Sequence, residues 1–202
     1  MDTMASLLDR FPGEFAPLAD VARRLLDRPG NPSADGVLSL GHRPWVATEN
    51  YAITLYPGLS EDALERYCER FKVVVPAMYA EFLATTSGAF CYGMSLAGVP
   101  RSMMGKLPLL DRSRLQCHDL ATAVNLWSTE YRRVPEKAFH FGGRHYSDRE
   151  NVGYFIVEGR ILSIRRTGRV VGEWKKFGDF LRDELPASEK LDNELHPDPP
   201  PG

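Results

Sequence analysis

The sequence predicts an α+β domain, helices packed on a mostly antiparallel sheet, preceded by an N-terminal helical extension. Three observations carry that expectation. Apolar residues recur at helical spacing as far as Gly88. After Pro135 they recur in short runs of strand character, separated by glycines. A last stretch, Phe177 to Leu185, returns to helical spacing and buries Phe177, Phe180 and Leu181.

In chain order, Met4, Leu7, Leu8 and Phe11 form a first helical stripe that Pro12-Gly13 ends. Leu18, Val21, Ala22, Leu25 and Leu26 form a second, stopped by Pro29-Gly30. Residues 29 to 44 hold three prolines and three glycines and read as a loop or linker. Tyr51, Ile53 and Leu55 alternate with smaller residues, as in a short strand. Ser60 is an N-cap for a helix with Leu64, Tyr67, Cys68 and Phe71 on one face. The β-branched run Val73-Val74-Val75 interrupts it, and Pro76 opens a second helix that buries Tyr79, Phe82 and Leu83. Gly88 is expected to close that helix in the left-handed region.

Phe90 to Leu96 reads as one strand, and Asp119 as the cap of a helix carrying Leu120, Val124, Trp127 and Tyr131. Four strands follow: Ala138 to Phe141, Gly153 to Glu158, Arg160 to Arg165 and Val170 to Lys175. Gly159 and Gly168 supply the turns of a meander. The expected division is residues 1–58 as helical extension and linker, 59–185 as the α+β domain, and 186–202 as a disordered, Pro-rich acidic tail.

Composition narrows the function classes. The 202 residues suit one core, and 43% hydrophobic with 26% charged residues is ordinary for a globular chain. Lys plus Arg total 25 against 27 Asp plus Glu, so there is no basic excess of the kind nucleic-acid binders carry. Cys68, Cys91 and Cys117 form no CxxC pair, which argues against a zinc ribbon and for reduced thiols in a cytoplasmic setting. No apolar run reaches the length of a membrane span, and Met1 to Arg10 lacks the order of a secretion signal.

Candidate chemistry is sparse. Cys117-His118-Asp119 has the residue types of a thiol site but falls where a helix cap belongs. His140 and His145 lack further ligands at metal-binding spacing, so neither a metal nor a cofactor is expected. GxSxG, GxxxxGK[ST] and HExxH motifs are all missing, which leaves no catalytic residue to name, and the expectation is a protein that is not an enzyme. The basic residues Arg160, Arg165, Arg166, Arg169, Lys175 and Lys176 read as charges guarding a sheet edge. The densest polar stretch runs from Arg144 to Glu150; Arg144, His145, Tyr146, Asp148, Arg149 and Glu150 are the candidate partner contacts, since Arg and Tyr concentrate interface energy.

Four stretches stand out: Leu64 to Phe71 with Val75-Pro76-Ala77-Met78-Tyr79-Ala80-Glu81-Phe82-Leu83, then Ser87-Gly88, then His140-Phe141-Gly142 with Asn151-Val152-Gly153-Tyr154-Phe155-Ile156, and Lys176-Phe177-Gly178-Asp179-Phe180-Leu181. In this order they resemble the SUKH superfamily, which includes the yeast Smi/Knr-like regulators and many bacterial immunity proteins. The resemblance spans Leu59 to Leu185. It implies a protein-binding module, an immunity protein whose partner is a toxin domain that it neutralises. The alternatives are a regulatory or scaffolding domain of the same type, an enzyme using His118, His140 or His145, and a nucleic-acid binder.

Overall fold

The computed structural model describes residues 4–32, 36–48, 50–100, 117–145 and 151–199. Nine strands form one sheet in which every strand pairs antiparallel with its chain neighbours: β1 (Gly30–Pro32), β2 (Leu38–His42), β3 (Tyr51–Leu55), β4 (Ala89–Cys91), β5 (Met94–Leu96), β6 (Phe139–Arg144), β7 (Val152–Val157), β8 (Arg160–Arg165) and β9 (Val170–Trp174). The helices are α1 (Met4–Leu8), α2 (Ala16–Arg23), α3 (Glu61–Phe71), α4 (Ala77–Thr85), α5 (Leu120–Leu126) and α6 (Phe177–Leu195). The expected α+β class is the observed one.

Side chains alternate across the pleat, so the register assigns each residue a face. Leu40, Ile53, Cys91, Met94, Arg144 and Val152 lie on one row of the first face. Leu8, Leu18, Tyr79, Phe82, Phe177 and Phe180 from the helices complete the core against that face. Aromatic rings dominate it: Phe82 and Phe177 stack at 5.3 Å, and Phe141 and Phe180 meet edge to face at 5.7 Å. The fully buried Tyr79 donates its hydroxyl hydrogen bond to the Ala97 and Phe141 carbonyls, which ties α4 to β5 and β6. On the second face, Tyr131, Ala138, Phe155 and Ile164 form a smaller cluster with Trp127 against it. The helical stripe read from Leu120 to Tyr131 therefore splits, with Leu120 in the main core and Trp127 and Tyr131 on the opposite side of the sheet.

Several local expectations meet the structure closely. Ser60 Oγ accepts from the Ala63 N–H, and Asp119 Oδ2 accepts from the Thr122 N–H, so both caps are formed. Pro76 immediately precedes α4, and β8 spans Arg160 to Arg165 as read.

Other expectations need correction. Residues 29–44 are not simply a linker: their described part supplies β1 and β2, and Leu8, Phe11, Phe15, Leu18, Leu38, Leu40 and Ile53 belong to the same core as the rest. Phe15 contacts both Phe82 and Phe177, so the described N-terminal residues pack into the core of the domain. Gly88 does not end α4, which stops at Thr85; it has φ 140° and lies where a Cβ would come within 2.5 Å of Cys117. Phe90 to Leu96 is not one strand but a hairpin whose two-residue turn, Tyr92-Gly93, has positive φ at both positions. The tail expected to be disordered from Pro186 is helical to Leu195.

Candidate protein-binding cleft

The long helix α6 changes character along its length. Its first half buries Phe177, Phe180, Leu181 and Leu185, and Glu14 accepts a hydrogen bond from the Phe177 N–H at 3.1 Å, satisfying a donor at the helix start. Pro186 then removes one helical N–H from the interior of the helix. Around it the buried face turns polar. Glu184, Ser188 and Asp192 fall four residues apart, share one face and are all buried.

Each acid in this stripe has partners from the sheet or the N-terminal segment. Tyr154 donates its hydroxyl proton to Glu184, and Arg144 lies 3.6 Å from the same carboxylate. Arg43, 3% exposed, pairs with Asp192 Oδ2 and donates to Asn193 Oδ1 at 3.1 Å. Glu189 accepts from Tyr92 at 3.1 Å and from Arg24 at 2.7 Å. Burial, followed by the charge of Glu189, pushes the Tyr92 phenol well above its ordinary range, so it remains a donor. Tyr92 also carries the Arg43 guanidinium over its ring at 5.3 Å. Its backbone sits at φ 47°, a conformation that costs a non-glycine residue about 1 kcal/mol.

This anchored end of α6 walls a cleft of about 350 Å³ lined by Asn50, Tyr51, Phe90, Tyr92, Gly93, His145, Asp192, Leu195 and His196. Three aromatic rings form its interior. Each is braced by another residue: Tyr51 on His42 at 4.9 Å, Phe90 on His118 at 5.3 Å, and Tyr92 beneath Arg43. Leu195, half exposed, stands among the lining residues. A second cleft of about 310 Å³ adjoins the other side of Tyr92, lined by Arg28, Arg43, Glu189, Asn193 and Asp198 among others.

The residues expected to contact a partner separate. Arg144 is buried on the core face of β6 beside Glu184, a fold-holding position and not the surface loop the sequence suggests. His145 is at the cleft. Tyr146, Asp148, Arg149 and Glu150 lie outside the described residues.

The three histidines come closer together than their sequence spacing suggests. The charge of His145 acts on both His118 and His140, and Glu130 acts on His140 and His145. Burial is the first cause that lowers the pKa of each imidazole, which favours the neutral form. His118 Nδ1 bonds Ser95 Oγ at 2.8 Å, and His140 Nδ1 bonds the Ala123 carbonyl at 3.0 Å while its ring packs on Tyr131 and Phe155. His140 is thus fixed as a packing group, and His118 is held by its bond to Ser95. Cys117 is buried and donates to the Ser87 carbonyl, with its thiol pKa raised by burial, so it is not activated as a thiolate. Among the described residues, no group of three or more His, Cys, Asp or Glu side chains could hold a metal ion, and no helix is long and apolar enough to cross a membrane.

No family model, curated protein or solved structure matches this chain.

Tyr92, Asp192 and Phe90 were the cleft residues least visible in the sequence. Tyr92-Gly93 lacks the Asn-Gly or Asp-Gly signature of a two-residue turn, and Asp192 lay in the stretch that composition marks as a tail. The one available signal was the four-residue spacing of Glu184, Ser188 and Asp192.

Proposed function

We propose that this chain is a protein-binding module of the SUKH type, an immunity protein that recognises a toxin domain and neutralises it by occupying its surface. The observation that carries the binding part is the cleft at the end of α6. It is concave, lined by Tyr51, Phe90 and Tyr92, and held rigid by the buried Arg43–Asp192 pair. Rigid aromatic walls let a partner anchor without a large ordering cost, and such residues concentrate binding energy at interfaces. The toxin as partner follows from the resemblance of Leu59 to Leu185 to that superfamily, which has many immunity members.

The test is co-expression of the full chain with the product of the neighbouring gene. The reading predicts a complex that survives gel filtration and a host that tolerates an otherwise lethal partner. A chain that neither co-purifies with that product nor alters the host's sensitivity would refute the immunity reading. Capture of several unrelated partners, none of them toxic, would favour the scaffolding alternative instead.

A further inference from the structure

We infer that the cleft is a receptor for a guanidinium, the side chain of an arginine on the partner protein. The inference rests on the protein-binding reading above and names the chemistry of its anchor. Three features of the wall select a planar cation. First, the lining carries three aromatic rings, Tyr51, Phe90 and Tyr92, the kind of side chain on which guanidinium groups stack. Second, the polar lining is rich in acceptors: Asp192, Asn50, and the imidazoles of His145 and His196. Neutral imidazole presents one acceptor nitrogen. Third, neither Lys nor Arg lines this cleft among the described residues.

The local charges need one further step. Asp192 is already paired with Arg43, but that contact engages Oδ2, and no hydrogen bond among the described residues engages Oδ1. Arg43 lies over the Tyr92 ring at 5.3 Å, so this ring already accepts one guanidinium. A ligand with five N–H donors and no acceptor matches such a lining; a carboxylate or phosphate would meet aromatic rings and a carboxylate, with no Lys or Arg among the described lining residues. Arginine is also among the side chains that most often anchor protein interfaces.

The experiment titrates the full-length protein, followed by amide chemical shifts, with three probes. N-acetyl-L-arginine amide imitates an arginine within a chain, N-acetyl-L-citrulline amide is its neutral counterpart, and free L-arginine imitates a metabolite. Saturable shifts at Gly93, His145 and Leu195 with the arginine amide, and none with the citrulline amide at equal concentration, are expected. Phe90→Leu keeps apolar bulk but removes a π-face, and should weaken the arginine amide about fivefold. Asn50→Asp adds an acid to the lining and should tighten binding about threefold, a gain that misfolding cannot imitate. Equal binding of the citrulline amide, an absence of saturable shifts, or weaker binding by Asn50→Asp would overturn the proposal. Tighter binding of free L-arginine than of its blocked amide would also overturn it, in favour of a metabolite pocket. The outcomes separate from the immunity reading. A partner that co-purifies yet leaves the arginine amide bound in the cleft removes the guanidinium anchor alone. Arginine-amide binding with no partner protein removes the immunity reading alone.

Discussion

The two halves of α6 lie against the same sheet and are held by different physics. The first half, from Phe177 to Leu185, is fixed by apolar area and ring packing: Phe180 meets Phe141, Tyr154, Trp174 and Phe177 within 6 Å. The second half, beyond Pro186, is fixed by charge: Asp192 to Arg43, and Glu189 to Tyr92 and Arg24. Apolar packing is spread over several ring neighbours, whereas a buried ion pair depends on both of its two members being present. The contrast teaches where rigidity for the core and rigidity for the cleft come from.

The comparison can be broken from either side. The largest effect is expected from Phe180→Ala, which empties a fully buried ring site and should cost about 4 kcal/mol in chemical denaturation, with the global transition shifting as a unit. Next comes Arg43→Met, which strands Asp192 in a buried setting and should cost about 3 kcal/mol. Its signature differs. Amide exchange should accelerate first in residues 187–195, and Asp192→Leu added to Arg43→Met should recover most of the loss, a rescue that Phe180→Ala has no second substitution to match. If Arg43→Met instead lowers protection evenly along α6, the distinction between the halves fails.

Tyr154→Phe probes the boundary between them. It removes the hydroxyl that serves the buried Glu184 and should cost about 2 kcal/mol by thermal or chemical melts, with Arg144 still beside the carboxylate. The smallest effect is from pH and acts on the sheet's other face. His118, His140 and His145 have pKa values lowered in the folded state, so the unfolded chain binds protons more readily as pH falls through about 6.5. Stability should therefore rise with pH from the folded-state values up to that point and level off above it. Replacing His140, the most enclosed of the three, with Gln should flatten the acid side of a melting-temperature profile.

Much of the fold is legible in the sequence where local chemistry and burial agree. Ser60, Asp119 and the glycines of the meander act over a few residues, so their roles are written next to the elements they shape. Legibility fails where a distant partner changes the meaning of a residue. Gly30, Pro32 and Gly41 read as linker, yet a neighbouring strand makes them β1 and β2. Pro186 and the acids after it read as a tail, yet Arg43, from far earlier in the chain, turns that stretch into a docked helix. Arg144 and Asp192 look like surface charges until each meets its opposite. Asp192 and Tyr92 at the cleft are of this second kind, and of the two described residues among the expected contacts, His145 lines the cleft and Arg144 does not.

The order of the sheet carries a consequence for how the molecule reaches this state. Every strand pairs with the one before it in the chain, so closing the sheet asks for many short loops and few long ones. The ties that shape the cleft are of the opposite kind: Arg43 to Asp192 spans 149 residues and Arg24 to Glu189 spans 165. Short-range closures are the fast ones, so the meander should nucleate early and the far end of α6 should dock late. Recognition capacity would then arrive as the final event of folding, after the core that supports it has already formed.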